Sequence, residues 1–260
     1  MDYENILYEP KESIGWITIN RPKAMNALST ALLAELCNAF KALKEDGDIR
    51  VVVIKGAGEK AFSAGADLGE LKDLKIRGAF DYSRSAHRAF DTIEQCGKPV
   101  IACVNGLALG GGAELALSCH VRVAAEGAKL GFPESGLGGM PGMGGTQRLP
   151  RLIGKSMALS YLLTGDMIKA DQGLKLGLYH QIFPNEEVVK GAEETAKKLA
   201  QKSPLSMKFI IQAVINGREG HMAEGLVLEA ALMAAQKNSE DAAEGLKAMF
   251  EKRPPNFKGE

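Results

Sequence analysis

Short apolar runs alternate with amphipathic stretches through the first part of the chain. Ile6-Leu7-Tyr8 and Ile14–Ile19 are apolar segments around Pro10 and Gly15, and they predict a β-hairpin. Asn20-Arg21-Pro22-Lys23 breaks the second strand. Ser29 stands where it caps a helix carrying Leu32, Leu33, Leu36, Phe40 and Leu43 at helical spacing, and Gly47 ends that helix. Val51-Val52-Val53-Ile54 has the composition of a buried strand, followed by a Gly56-Ala57-Gly58 turn. A shorter run, Ala61-Phe62-Ser63, leads into Gly65-Ala66-Asp67. The same order returns at Val100–Val104, the Asn105-Gly106 turn and a triple glycine. It returns again at Val121-Arg122-Val123-Ala124, a turn at Gly127 and Lys129-Leu130-Gly131-Phe132. Strand, turn, short strand, loop and helix thus recur about three times, as a structural repeat rather than a strict sequence repeat. The alternation predicts an α/β fold.

From Ser156 onward alanine, leucine, lysine and glutamate dominate and strand signals become rare. Met157, Leu159, Leu162 and Leu163 mark one helix, and residues 187–201, 205–215, 220–236 and 239–252 mark others. Pro254-Pro255 stops the last of these. The expected organisation is a repeat core, residues 1–195, that carries the site. A helical region, residues 196–260, then covers the core or meets another subunit.

Composition narrows the partners. The 260 residues are 45% hydrophobic and 25% charged, and 32 basic residues balance 32 acidic ones. That balance gives no electrostatic reason to expect nucleic acid or anionic lipid as the main partner. Cys37, Cys96, Cys103 and Cys119 form no C-x-x-C pair and lie in apolar-rich stretches, which predicts buried free thiols in a reducing compartment. No apolar run is long enough to span a bilayer, and Met1-Asp2-Tyr3-Glu4-Asn5 lacks a signal pattern. The expected location is cytoplasmic.

The candidate chemistry sits in two acids framed by glycines. Asn105-Gly106-Leu107-Ala108-Leu109-Gly110-Gly111-Gly112-Ala113-Glu114 ends in one carboxyl group. Leu130-Gly131-Phe132-Pro133-Glu134 ends in another, ahead of Gly138-Gly139-Met140-Pro141-Gly142-Met143-Gly144-Gly145-Thr146. The triple glycine follows a strand and precedes an apolar helix, so its N–H groups either favour an anion at a helix N-terminus or serve a tight turn. Ala64-Gly65-Ala66-Asp67 is a second strand-end turn, able to present the Ala66 N–H. Two such donors stabilise a developing oxyanion, and two carboxyl groups divide acid and base work. The glycine spacing is neither a dinucleotide fingerprint nor a P-loop. No Gly-x-Ser-x-Gly elbow occurs, and His87, His120, His180 and His221 have no ligand spacing, so no metal site is expected.

The combination resembles the enoyl-CoA hydratase/isomerase (crotonase) superfamily. The matching stretches are Asn20-Arg21-Pro22-Lys23 to Asn26-Ala27-Leu28, Ala61 to Asp67, Lys98 to Glu114, and Phe132-Pro133-Glu134 to Leu149. The resemblance implies a spiral of ββα units with a helical C-terminal region, assembled as a homotrimer or a homohexamer of paired trimers. It implies that Ala66 and Gly111 supply oxyanion-hole amides to a thioester. Glu114 orients and activates water for attack at Cβ, and Glu134 delivers a proton to Cα. Gly142 supplies a backbone donor near the water. Lys23, Ala24, Ala64 and Leu68 fall where the family holds coenzyme A, and Lys252 approaches the nucleotide from a neighbouring subunit. No cofactor is implied, because coenzyme A is part of the substrate. The expected reaction is reversible hydration of a trans-2-enoyl-CoA to a 3-hydroxyacyl-CoA. Isomerases of the family often keep one acid, so two acids favour hydration. The alternatives are an isomerase, a hydratase of a cyclic or branched acyl-CoA, and a non-catalytic acyl-CoA- or RNA-binding relative. The segment from Leu71 to Phe90, with Leu74, Phe80 and Tyr82, is expected to shape the acyl pocket or to pack as an amphipathic helix on the core.

Overall fold

A tight turn at Glu12-Ser13 joins strand β1 (Ile6–Lys11) to β2 (Ile14–Ile19) in the computed structural model, which describes residues 3–217 and 220–260. β1 continues through Pro10 to Lys11, beyond its apolar run, because it is an edge strand, where proline is tolerated. Helix α1 (Thr30–Glu45) begins as expected: the Ser29 hydroxyl accepts the Leu32 N–H at 3.2 Å. Its buried stripe is Leu32, Leu33, Leu36, Ala39, Phe40 and Leu43, and it ends one residue before Gly47, at Asp46.

The predicted repeat is present, and two sheets explain it. β3 (Val51–Gly56) is followed by the short β4 (Ala61–Ser63), then by helices α2 (Leu68–Leu71) and α3 (Ile76–Glu94). β5 (Val100–Val104) is followed by β6 (Leu107–Leu109) and α4 (Gly111–Ser118). β7 (Val121–Ala125) is followed by β8 (Lys129–Gly131), a 3-10 turn (Pro133–Leu137) and α5 (Gly145–Ile153). The long strands of each unit pair in parallel in one sheet, and the short strands pair in parallel in a second. Each unit therefore delivers its short strand, and the loop after it, to the same side of the molecule.

The chain continues as α6 (Lys155–Thr164), β9 (Ile168–Lys169), α7 (Ala170–Lys175), β10 (Gln181–Phe183), α8 (Val188–Ala200), α9 (Pro204–Gly217), α10 (Met222–Lys237) and α11 (Glu240–Glu251). Two strands thus interrupt a region whose sequence shows few strand signals. β10 pairs with β7 at the far edge of the six-stranded sheet, and β9 pairs antiparallel with β8 in the four-stranded sheet. Strands of three and two residues carry no readable period, so pairing with a neighbour decides them. Helix α8 packs on β3, β5 and β7 through Val188, Ala192 and Ala196. Covered strands read as continuous apolar runs, and Val51 to Ile54 and Val100 to Val104 are fully buried. Cys96, Cys103 and Cys119 are buried free thiols, whereas Cys37 is partly exposed, with its sulfur 3.6 Å from Thr92 Oγ1. Helix α6 places Ala158 in the core and packs Tyr161 and Leu162 against it, whereas Met157, Leu159 and Leu163 are exposed.

The first and second units meet through a very close main-chain approach. A Cβ placed on Gly112 would lie 2.2 Å from the Ser63 carbonyl oxygen, so the start of α4 rests directly on the end of β4. Neither partner can move aside, since both are main chain in the core. Gly112→Ala is expected to lower stability by at least about 2 kcal/mol, measured by urea denaturation.

Candidate active site

The loops after β4, β6 and β8 and the loop before α5 converge on a cavity of ≈ 230 Å³. Its first wall is made of main-chain amides. Ala66 forms an isolated parallel bridge with Leu28, in which the Leu28 N–H donates to Gly65 O at 2.7 Å and the Asp67 N–H to Leu28 O at 3.2 Å. Such a bridge uses the groups on either side of Ala66 and turns the Ala66 N–H the other way. The Tyr82 hydroxyl reinforces it, donating to the Leu28 carbonyl and accepting the Asp67 N–H at 3.3 Å. Asp67 is held in turn by Arg21 at 2.9 Å, and this pair keeps the Asp67 carboxyl below its ordinary range.

Gly111 opens α4, and the first N–H groups of a helix have no acceptor within it. A Cβ built on Gly111 would lie 3.3 Å from the Ala66 nitrogen, so the two amides are neighbours. Neither donates to another group among the described residues. Gly110 has φ +48°, and a Cβ there would fall 2.7 Å from Glu134 Oε1. A residue without a side chain therefore lets the Glu134 carboxyl reach over the start of α4. The triple glycine makes a constrained turn, in which the Gly110 N–H donates to Gly131 O at 2.9 Å, and it leaves the Gly111 N–H beside that of Ala66.

The second wall carries the two acids. Glu114 lies in the first turn of α4 and is 1% exposed. Its Oε1 accepts the Met143 N–H at 2.8 Å and the Gly145 N–H at 2.7 Å. Burial nevertheless pushes its pKa up to about 7, with the nearby Glu134 charge adding to the rise. Glu134 is half-buried and burial raises its pKa as well; its Oε2 has no hydrogen-bond partner among the described residues. Two neighbouring carboxyl groups whose pKa values are both raised are suited to proton transfer in either direction.

Ala64, Leu68 and Gly142 also line this cavity, together with Ala66, Gly111, Glu114 and Glu134. Lys23 and Ala24 lie outside its lining, on an exposed 3-10 turn. That turn abuts the mouth, because the following residue, Met25, accepts the Ala64 N–H at 2.9 Å. Lys252 caps the C-terminus of α11, away from the cavity lining. Of the helical segment expected to shape the pocket, Leu71, Ala79, Tyr82 and Ser83 line it, while Leu74 and Phe80 point to solvent. The Gly142 carbonyl accepts the Ser83 hydroxyl. The amides of Met143 and Gly145, which hold Glu114, were not expected. Their signal in the sequence is the glycine spacing of Gly142-Met143-Gly144-Gly145, which permits close main-chain approach. His120 and His180 each accept a main-chain N–H, from Val100 and Arg122, and so serve the strands rather than the cavity.

Known proteins share this arrangement of sheets over the whole chain. The enoyl-CoA hydratase/isomerase family matches residues 9–260. A crotonyl-CoA hydratase from Syntrophomonas wolfei is 40% identical, with 99% of each chain covered. A short-chain-enoyl-CoA hydratase from Clostridium acetobutylicum is 38% identical, with 97% of each covered. The crystal structure of an enoyl-CoA hydratase from Bacillus anthracis superposes with a TM-score of 0.96 at 40% identity, covering 99% of this chain and 100% of that one. The fold is the crotonase-like spiral of ββα units with C-terminal helices. The chain belongs to the enoyl-CoA hydratase/isomerase family.

The buried acid opposes folding at high pH. Its folded-state pKa lies above the unfolded value, so stability is lost as pH rises from about 4.5, where the unfolded chain releases the proton, to about 7, and the full cost persists above that. A glutamine at this position carries no such penalty. The stability of Glu114→Gln relative to the parent is expected to rise by about 2–3 kcal/mol between about pH 5 and pH 8. Denaturation midpoints of both proteins across that range measure it.

Proposed function

We propose that this chain reversibly hydrates a trans-2-enoyl-CoA to the 3-hydroxyacyl-CoA. The observation that carries the proposal is the single cavity in which two free, adjacent amides face two acids of raised pKa. An α,β-unsaturated thioester is electrophilic at Cβ because its carbonyl oxygen accepts the displaced charge. The Ala66 and Gly111 N–H groups donate to that oxygen and stabilise the enolate. Glu114, ionised, takes a proton from water as the water oxygen bonds to Cβ, and the Gly142 amide helps hold that water. Glu134, protonated, gives its proton to Cα. The C=C π bond and one O–H bond each of water and Glu134 break, while one C–O bond, one C–H bond and an O–H bond on Glu114 form. Proton exchange with solvent returns both acids to their starting states. The reverse sequence dehydrates the product. Two acids rather than one favour water addition over double-bond migration.

Coenzyme A runs past Lys23, Ala24, Ala64 and Leu68 at the mouth, and it is substrate rather than a resident cofactor. Residues 1–195 carry the chemistry, and residues 196–260 mediate assembly. Exposed Ile210, Val214, Val227 and Met233 on α9 and α10 support association into a trimer or a pair of trimers. In that assembly Lys252 of one subunit reaches the nucleotide bound to the next.

The purified protein is expected to consume crotonyl-CoA with loss of the conjugated thioester absorbance and a mass gain of one water, without added metal or nucleotide. Glu114→Ala and Glu134→Gln should each lower kcat by about 100- to 10,000-fold with much smaller changes in KM. Full activity in both variants would falsify the two-acid mechanism. The acid limb of kcat/KM should have its midpoint near pH 7, where Glu114 ionises; a limb at the ordinary glutamate value would assign the base elsewhere.

A further inference from the structure

We propose that Arg148 is the positioning residue for Glu114: it clamps the loop of residues 143–145 to helix α3, so that two main-chain N–H groups converge on one carboxylate oxygen. Arg148 lies on α5, 11% exposed, and outside the cavity lining. One face of the loop meets the acid, through the Met143 and Gly145 amides. The other face meets the arginine. Its Nη1 donates to the Met143 carbonyl at 3.4 Å, and a Cβ on Gly144 would lie 2.2 Å from that same nitrogen. The guanidinium therefore lies against the Gly144 α-carbon, where φ is +117°.

The clamp is anchored at its far side. Arg148 Nη2 bonds Glu94 at 2.9 Å and Asp91 at 3.1 Å, both on α3. Glu94 is 13% exposed and Asp91 55%, so screening leaves Glu94 the firmer anchor. The planar fork reaches two acids and a carbonyl at once, which a lysine ammonium on its flexible stem does not reproduce. Among the described residues, the charges acting on Glu114 are Glu134, which disfavours its ionised form, and Arg148, which favours it. From α3, Asp91 and Glu94 face Arg148, and His87 faces the Gly142 main chain. Loss of Arg148 thus removes both the aim of the two donors and a cation that favours the ionised acid.

This inference rests on the reading of Glu114 as a base that works ionised, and its test includes a readout that does not. In Arg148→Met, kcat for crotonyl-CoA hydration should fall by about 10- to 100-fold, with KM changed by less than about threefold. The acid limb of kcat/KM should move to higher pH, and Arg148→Lys should fall between parent and Met variant. Independently of turnover, the infrared carboxylic-acid band of the ligand-free protein, assigned by its loss in Glu114→Gln, should titrate at higher pH in Arg148→Met. If the parent hydrates no enoyl-CoA, the proposed reaction fails while the infrared titration still decides the clamp. An unchanged titration in folded Arg148→Met overturns the proposal. Should that variant not fold, Glu94→Gln must shift the band in the same direction, and no shift there overturns it equally.

Discussion

Burial of the Glu114 carboxyl in an otherwise apolar helix is the constraint to which the rest of the site answers. A lone carboxylate in such a place would simply stay protonated. Here the Met143 and Gly145 amides meet one of its oxygens and hold part of the penalty in check. The loop that supplies them must come within hydrogen-bond reach, which fixes where α5 starts, how it packs on α4 and how Arg148 ties it to α3. Arg148 and the glycines at 144 and 145 follow from that geometry rather than preceding it. The acid is left in the range where a proton is readily gained and lost, the condition the proposed water addition needs.

The wall proposed to hold the oxyanion is built from the opposite material. No side chain supplies it; its donors are amides left over by a bridge and by the start of a helix. Main-chain groups of this kind are rigid because their neighbours are committed: the Leu28 bridge, the Tyr82 hydroxyl and the Arg21–Asp67 pair all fix the flanks of Ala66. Such donors cost little reorganisation when charge develops in front of them. The two walls thus divide the work, with fixed dipoles on one side and titrating groups on the other.

The architecture explains how segments distant in sequence meet. Each unit sends a long strand to one sheet and a short strand to the other, so every loop after a short strand emerges at the same place. Ala66 follows β4, Gly111 follows β6 and Glu134 follows β8. The repetition turns one local pattern into a three-part site. The close contact of Gly112 with Ser63 is what lets consecutive units stack without a gap.

Much of this was legible in the chain itself. The apolar period of α1 with its Ser29 cap, the valine-rich β3 and β5, and the glycine-framed acids are local patterns, and local patterns reflect local physics. They nominated Ala66, Gly111, Glu114 and Glu134 as candidates and marked the resemblance to the family, which added Gly142, and the cavity brings all five together. The short strands β9 and β10 were not legible, because two or three residues have no period of their own and exist only through β8 and β7. Nor were the clamp by Arg148 and the outward turn of Leu74 and Phe80; the glycines around Met143 signal close main-chain approach but not that Glu114 is the group they meet. A hydrogen bond across 29 residues or an ion pair across 54 leaves no spacing to read. Sequence alone determined which groups could do the chemistry; tertiary packing decided how far each was buried, which donors reached it and hence when it carries a proton.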